Sequence, residues 1–355
     1  MKRIYLDYAS LTPVDKGVLK LIKKYSNKKY TNPSALYSSA VMAKEVVKDA
    51  YNRVAAIIHA HTDEIIFTSG GTESNQLVLD SVIGKHIIVS AIEHSSIIQN
   101  SKATQILVDN SGLVDLDLLK TSITAETVLV SIIMVNNEIG VIQPIHEIAK
   151  IVRDARKKFN TKILFHVDAS QAIVHFPLYV EKLGIDLMTL DGNKIYGPRG
   201  IGMLYVKRDS VKIFRPGTLN VPSIAGFAYA LYLVEKMREK ETARIVELKD
   251  FFIKELHKIN KEIRVNGNLE KSSPHILNVS IPNTDNEFFI LQLDAKGIEC
   301  STKSACLRDE DESYVLKAIG SDSKVSVRFS FGRGTKKGEL KKVVKAIEKI
   351  LYVFG

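Results

Sequence analysis

Cysteine is scarce in this sequence, and long apolar runs are missing. Only Cys300 and Cys306 occur in 355 residues, which points to free thiols in a reducing, cytoplasmic setting rather than a disulfide framework. No apolar stretch reaches the roughly 18 residues that a membrane-spanning helix needs. The opening MKRIYLDYAS is basic at its start but lacks an apolar core and a small-residue cleavage site, so no secretory signal is expected. Zinc-ligand spacings, base-stacking motifs, internal repeats and low-complexity tracts are absent as well. Direct nucleic-acid binding is therefore not expected, despite a net charge of +10. The lysines are spread out, many along helix faces such as Lys337, Lys341, Lys345 and Lys349, as on a solvated surface.

What the sequence does contain is an ordinary globular composition, 45% hydrophobic and 25% charged, in a chain long enough for two packed domains. Short β-branched runs recur at Glu64–Thr68, His86–Ser90, Thr127–Ile133, Lys162–Val167, Asp186–Leu190 and Gly202–Val206. Helical patterns lie between several of them, as at Ile145–Phe159. This alternation predicts an α/β fold on a mostly parallel sheet. A long helix is expected from Pro222 to about Ile259. Beyond it, Ile276–Ile281, Glu287–Lys296 and Val325–Phe331 read as strand, helix, strand, and Gly338–Tyr352 as a closing helix. The expected division is a large domain over 13–235 and a smaller α+β domain made of 1–12 and 236–355.

Four segments carry candidate chemistry. Thr68-Ser69-Gly70-Gly71-Thr72-Glu73-Ser74 follows a strand and opens a helix, a setting in which glycines and helix amides cradle a phosphate. A plain tight turn would read the same. His166-Val167-Asp168-Ala169-Ser170-Gln171 puts a carboxylate at the carboxyl end of an apolar strand. There it either pairs with a cation or caps the next segment. Asp191-Gly192-Asn193-Lys194, continuing to Gly200, sets a lysine on a glycine-rich turn beside the sheet, where a desolvated amine can form an imine. Ser304-Ala305-Cys306 precedes a charged stretch, which suits an exposed, reactive thiol. Cys300, after apolar Ile298, reads as core.

Taken together, these segments resemble the class V aminotransferases, which are fold-type I pyridoxal-phosphate (PLP) enzymes, and specifically the NifS/IscS-type cysteine desulfurases. The likeness runs nearly end to end. It includes Tyr5-Leu6-Asp7-Tyr8-Ala9, Asn32-Pro33-Ser34, Phe67–Ser74, Glu93-His94, Val135–Gly140, the Asp168 segment, Lys194–Gly200, Ser304–Cys306 and Val327-Arg328-Phe329-Ser330. The resemblance implies a large domain with a mostly parallel seven-stranded sheet and a smaller α+β C-terminal domain. It implies Lys194 as the lysine that joins PLP through an imine, and Asp168 as partner of the ring nitrogen. His94 would stack on the ring and move protons, Gln171 would bond the ring oxygen, and Gly71, Thr72 and Asn193 would help hold the cofactor. Asn32, Asn137 and Arg328 would sit near the substrate carboxylate, Asn137 also near the cofactor. Cys306 would take sulfur from L-cysteine as a persulfide, leaving alanine. The family further implies a homodimer and a sulfur acceptor or scaffold protein, in iron–sulfur cluster assembly or tRNA thiolation. Alternatives are a selenocysteine lyase or another class V activity, or a degenerate homologue that binds partners.

This chain departs from the family pattern at several places. Asp191 and Asn193 stand where serine and histidine are common, and a carboxylate at 191 repels a phosphate unless it is turned away or protonated. A glycine-rich stretch before Phe214-Arg215-Pro216-Gly217-Thr218 is missing. Thr218 is still expected to reach the other subunit's phosphate, and Arg215 to restore positive charge. Lys303 replaces a glycine before Ser304.

Overall fold

The computed structural model describes residues 3–99, 103–302 and 312–354. Its strands are β1 (Ile4–Tyr5), β2 (Ile65–Thr68), β3 (His86–Ser90), β4 (Thr104–Ile106), β5 (Thr127–Ile133) and β6 (Leu164–Asp168). They continue with β7 (Leu187–Asp191), β8 (Gly202–Val206), β9 (Arg264–Val265), β10 (Ile276–Ser280), β11 (Ile298–Glu299) and β12 (Ser326–Ser330). Seven of them form one sheet in the order β2-β8-β7-β6-β5-β3-β4. Only β8 runs against its neighbours, β2 and β7. The expectation of a mostly parallel seven-stranded sheet is met.

The sheet strands are apolar and β-branched because helices cover both faces. Strands β6 and β8 are buried at every position, which is why they read as continuous hydrophobic runs rather than alternating ones. The largest core packs the sheet against helices Ser38–Ile58, Ile145–Phe159 and the first part of Val221–Ile259. In Ile145–Phe159 the inward stripe is Ile145, Ile148, Ala149, Val152 and Ala155, and left-handed Asn160 closes the helix.

A second core lies around the antiparallel sheet β12-β10-β9. The helix Val221–Ile259 is about 58 Å long at 1.5 Å per residue, and it joins the two. Ile224, Phe227, Leu231 and Val234 belong to the first core, and Ile245, Leu248, Phe252 and Leu256 to the second. The division expected at 235/236 thus falls inside one unbroken helix. The N-terminal residues cross to the second core: β1 pairs with β11, and Leu6 is buried there.

The register aligns the carboxyl ends of the central strands. Ile133 pairs with Asp168, and Asp168 with Thr189. Gly202, at the start of β8, is hydrogen-bonded opposite both Thr68 and Asp191. A Cβ at Gly202 would lie 2.6–2.9 Å from the Gly70 backbone, so only glycine allows the turn after β2 to sit against the end of β7.

Candidate active site

Five strand ends and the N-terminal crossover meet at one cavity of about 260 Å³. Asp168 closes β6 and is buried. Its Oδ1 accepts the Ser170 N–H at 3.0 Å, and its Oδ2 accepts Asn75 Nδ2 at 2.9 Å. Asn75 sits one turn into helix Gly71–Asp80 and also donates to Ser96 Oγ, which ties that helix to the segment after His94. Among the described residues Asp168 has no salt bridge, so its charge lacks the cation that burial calls for. Beneath it, His166 is held between Ser131 Oγ and Thr189 Oγ1. Burial pushes this imidazole down to about 4, against the pull of Asp168, and keeps it neutral.

Lys194 ends the short 3₁₀ turn Gly192–Lys194 that follows β7. Its Nζ donates to the Ser10 carbonyl at 2.6 Å. His94 caps helix Ser95–Ile98: its Nδ1 accepts the Ser96 N–H at 3.2 Å, which leaves Nε2 to carry the proton of the neutral ring. Gln171 donates from Nε2 to the Ala9 carbonyl at 2.8 Å. Arg328, in the middle of β12, is 1% exposed. Its Nη1 donates to the Asn137 carbonyl, and its Nη2 to Asp7 Oδ1 and Ser10 Oγ. Arg328 Nε is buried without a partner, so the guanidinium keeps donor capacity although Asp7 already balances its charge.

The phosphate-type turn holds a surprise at Asp191. This side chain neither points away nor stands free. Its Oδ1 accepts the Asn193 N–H at 2.7 Å, and its Oδ2 accepts the Gly71 N–H at 3.3 Å. A carboxylate of the chain thus sits on an amide at the start of helix Gly71–Asp80, the end where an anion is favoured. Beside it, Glu73 accepts from the Ser69 N–H and from Arg215 Nε. Burial works against the Glu73 charge, but the Ser69 and Arg215 hydrogen bonds outweigh it and hold the carboxyl below its ordinary range. Arg215, expected to restore positive charge to the cradle, is committed to Glu73 instead.

Of the residues singled out in the sequence, Gly71, Thr72, His94, Asn137, Asp168, Gln171, Asn193, Lys194 and Arg328 all line this one cavity. Asn32 and Thr218 do not: both are exposed, Asn32 capping the Ser34 N–H at 3.0 Å. Cys306 and Lys303 lie outside the described residues. Cys300 packs against the second core, and burial pushes its thiol up. Sequence reading missed Asp7, Ser10, Asn75 and Ser170. Asn75 follows Gly71 by one helical turn and so shares its sheet-facing side, a spacing that could have marked it.

Comparisons with known proteins place the chain in a family. The family model Aminotransferase class-V matches residues 4–216 and 208–343. A cysteine desulfurase IscS of Dictyoglomus turgidum is 37% identical, covering 99% of this chain and 95% of its own length. Among solved structures, a NifS-like protein is 29% identical with a TM-score of 0.90, covering 99% of this chain and 100% of its own. SspA in complex with cysteine is 28% identical with a TM-score of 0.79, covering 92% and 98%. In sequence and in fold, the chain belongs to the class V aminotransferase family, among relatives of the NifS/IscS type.

Proposed function

We propose that this protein is a PLP-dependent cysteine desulfurase. The observation that carries the reading is Lys194 and Asp168 facing one cavity, an amine beside a buried carboxylate that lacks a cation. The relative named for cysteine desulfuration and the neighbour holding cysteine support the substrate. The donor set suits PLP. A protonated ring nitrogen would supply the charge Asp168 lacks, the unpartnered Ser170 Oγ suits a phosphate, and Arg328 Nε suits a carboxylate.

When bound, the cofactor supplies an electron sink that loosens bonds at the substrate α-carbon. The chain's own residues do the rest. Asp168 holds the ring nitrogen protonated, with Asn75 and Ser170 fixing the carboxylate. Lys194 Nζ would move a proton at the α-carbon, and His94, locked through Nδ1, would help hold the cofactor and move protons in the same cavity. Arg328 and Asn137 orient the substrate carboxylate. The Cys306 thiolate then attacks the substrate sulfur: an S–S bond forms at Cys306, the carbon–sulfur bond breaks, and alanine is left once the carbon is protonated. An acceptor protein removes the persulfide sulfur. The role of Cys306 rests on its sequence motif.

A second copy of the chain is part of the proposal. Asn32 and Thr218 are family site positions that face outward here, beside the exposed apolar residues Leu36 (96% exposed) and Phe214 (83%). A partner covering these stretches would receive both polar groups in its own cavity. Asp191 in the cradle favours a second reading, a homologue that binds partners without turnover.

One assay separates the two. Purified protein with PLP and L-cysteine is expected to give alanine and sulfide, with an imine absorbance that Lys194→Ala abolishes. Cys306→Ala should form the imine yet release little sulfide. No imine and no alanine from the unaltered protein would overturn the enzyme reading, and unchanged sulfide from Cys306→Ala would overturn the persulfide step.

A further inference from the structure

Behind Gln171, away from the cavity, lies a buried polar chain that the mechanism above does not use. His275, 6% exposed, sits just before β10 and places Nε2 at 3.1 Å from Gln171 Oε1. Its Nδ1 is 2.7 Å from Ser273 Oγ. Its ring stacks on that of His175, with centroids 4.7 Å apart, and His175 in turn meets Thr242 Oγ1. Lys249 Nζ donates to the Ser273 carbonyl at 3.0 Å.

The direction of each hydrogen bond follows from chemistry. The Ala9 carbonyl only accepts, so the Gln171 group facing it is the NH₂. The other end of the amide is then the carbonyl oxygen, which needs a donor, and His275 Nε2 must carry a hydrogen. In the neutral ring Nδ1 is bare and accepts the Ser273 hydroxyl. Neutrality has a physical cause: burial drives His275 far below the ordinary histidine range, helped by His175, Lys249, Arg328 and Lys194. An amide held at both ends cannot turn over. One N–H of Gln171 goes to Ala9, and the second is left beside the cavity that Gln171 lines.

We propose that His275 is a positioning residue that fixes the Gln171 amide, so that an N–H rather than a carbonyl oxygen faces an anionic ring oxygen of the bound cofactor. Without it Oε1 loses its donor and only the Ala9 carbonyl holds the amide, so the N–H is aimed less firmly at that oxygen and the hydrogen bond to it weakens. The inference rests on the PLP reading for its consequence, but not for the tautomer itself.

The test has two arms. In cofactor-free protein labelled with ¹⁵N-histidine, long-range ¹H–¹⁵N correlation at pH 7 should show His275 protonated at Nε2 and bare at Nδ1. The opposite tautomer, or a charged ring, would overturn the proposal whether or not PLP binds. In the holoenzyme, the pH midpoint of the cofactor's absorbance change should rise in His275→Leu by about one pH unit, the worth of one hydrogen bond to the charged form. The turnover number should fall roughly tenfold by the same reckoning, with KM for cysteine little changed. His275→Gln, which keeps an N–H at similar reach, should restore both. If His275→Leu titrates as the unaltered enzyme does while Gln171→Leu shifts, Gln171 acts without His275 and the proposal falls. Failure of the unaltered protein to bind PLP would sink the functional reading and leave the tautomer arm to decide the geometry.

Discussion

At the scale of single residues, the site is built from groups whose charge is decided by what they touch. Asp191 is the sharpest case. Its carboxylate caps the Asn193 amide and sits on the Gly71 amide, where a phosphate would otherwise find a donor. Asp191→Ser keeps a capping oxygen and removes the charge. It is expected to tighten PLP binding by roughly tenfold, about 1.4 kcal/mol, in an absorbance titration; weaker binding would mean that Asp191 supports the cradle instead. Glu93 is the second case. It is fully buried, with Oε1 taking the Ile133 N–H and the Ser90 hydroxyl while Oε2 has no partner. Burial, with a smaller push from Asp168, raises this carboxyl to about 8 against hydrogen bonds that lower it. An acid whose folded value exceeds its unfolded value binds more protons when folded. Stability from Glu93 is therefore full below its ordinary value of 4.5 and is lost as pH climbs from there through about 8. Glu93→Gln should unfold at nearly the same temperature at roughly pH 8.5 and pH 4.5, the two ends of that range, after correction for the remaining groups. An unaltered pH slope would show that Glu93 is not the titrating group.

At the scale of elements, the strands were legible because a sheet covered on both faces writes itself as apolar β-branched runs. His86–Ser90, Thr127–Ile133 and Gly202–Val206 are found where the pattern puts them. Strands β6 and β7 run on to include Asp168 and Asp191, since ladder bonds carry the strand into its polar final residue. Thr104–Ile106 escaped notice because it is a three-residue edge strand with one inward side chain, Ile106. The candidate site was legible wherever a motif ends a strand. Asn75 and Ser10 were not: Asn75 is marked only by its helical spacing from Gly71, and Ser10 reaches the cavity only through the packing of distant segments. Gly202 shows how tightly these ends are packed. Gly202→Ala would force a methyl into the Gly70 backbone and should cost about 1–3 kcal/mol in urea unfolding, with weaker PLP binding as the turn after β2 is pushed from β7. A stability change within error would mean the two strand ends can part freely.

For the whole molecule, the proposed pairing of two copies starts from Asn32 and Thr218, which lie outside the cavity. Both are exposed and lie near the exposed apolar Leu36 and Phe214 in sequence, a placement that sequence order alone could not reveal. Light scattering should give the mass of two chains. The pair Leu36→Asp and Phe214→Asp should shift it toward one chain and lower alanine production at least tenfold, the order expected when a positioning group is withdrawn. Single-chain mass for the unaltered protein, with full activity, would reject the partnership.

The route of the N-terminal residues also bears on when this protein can first work. Asp7 and Ser10 come from the beginning of the chain and close on Arg328, while the Ala9 N–H bonds Ser330 Oγ. During synthesis Asp7, Ala9 and Ser10 must wait until β12 has been made. A nascent chain stalled before β12 would hold every strand of the large sheet and the lysine at 194, yet lack the wall that completes its pocket.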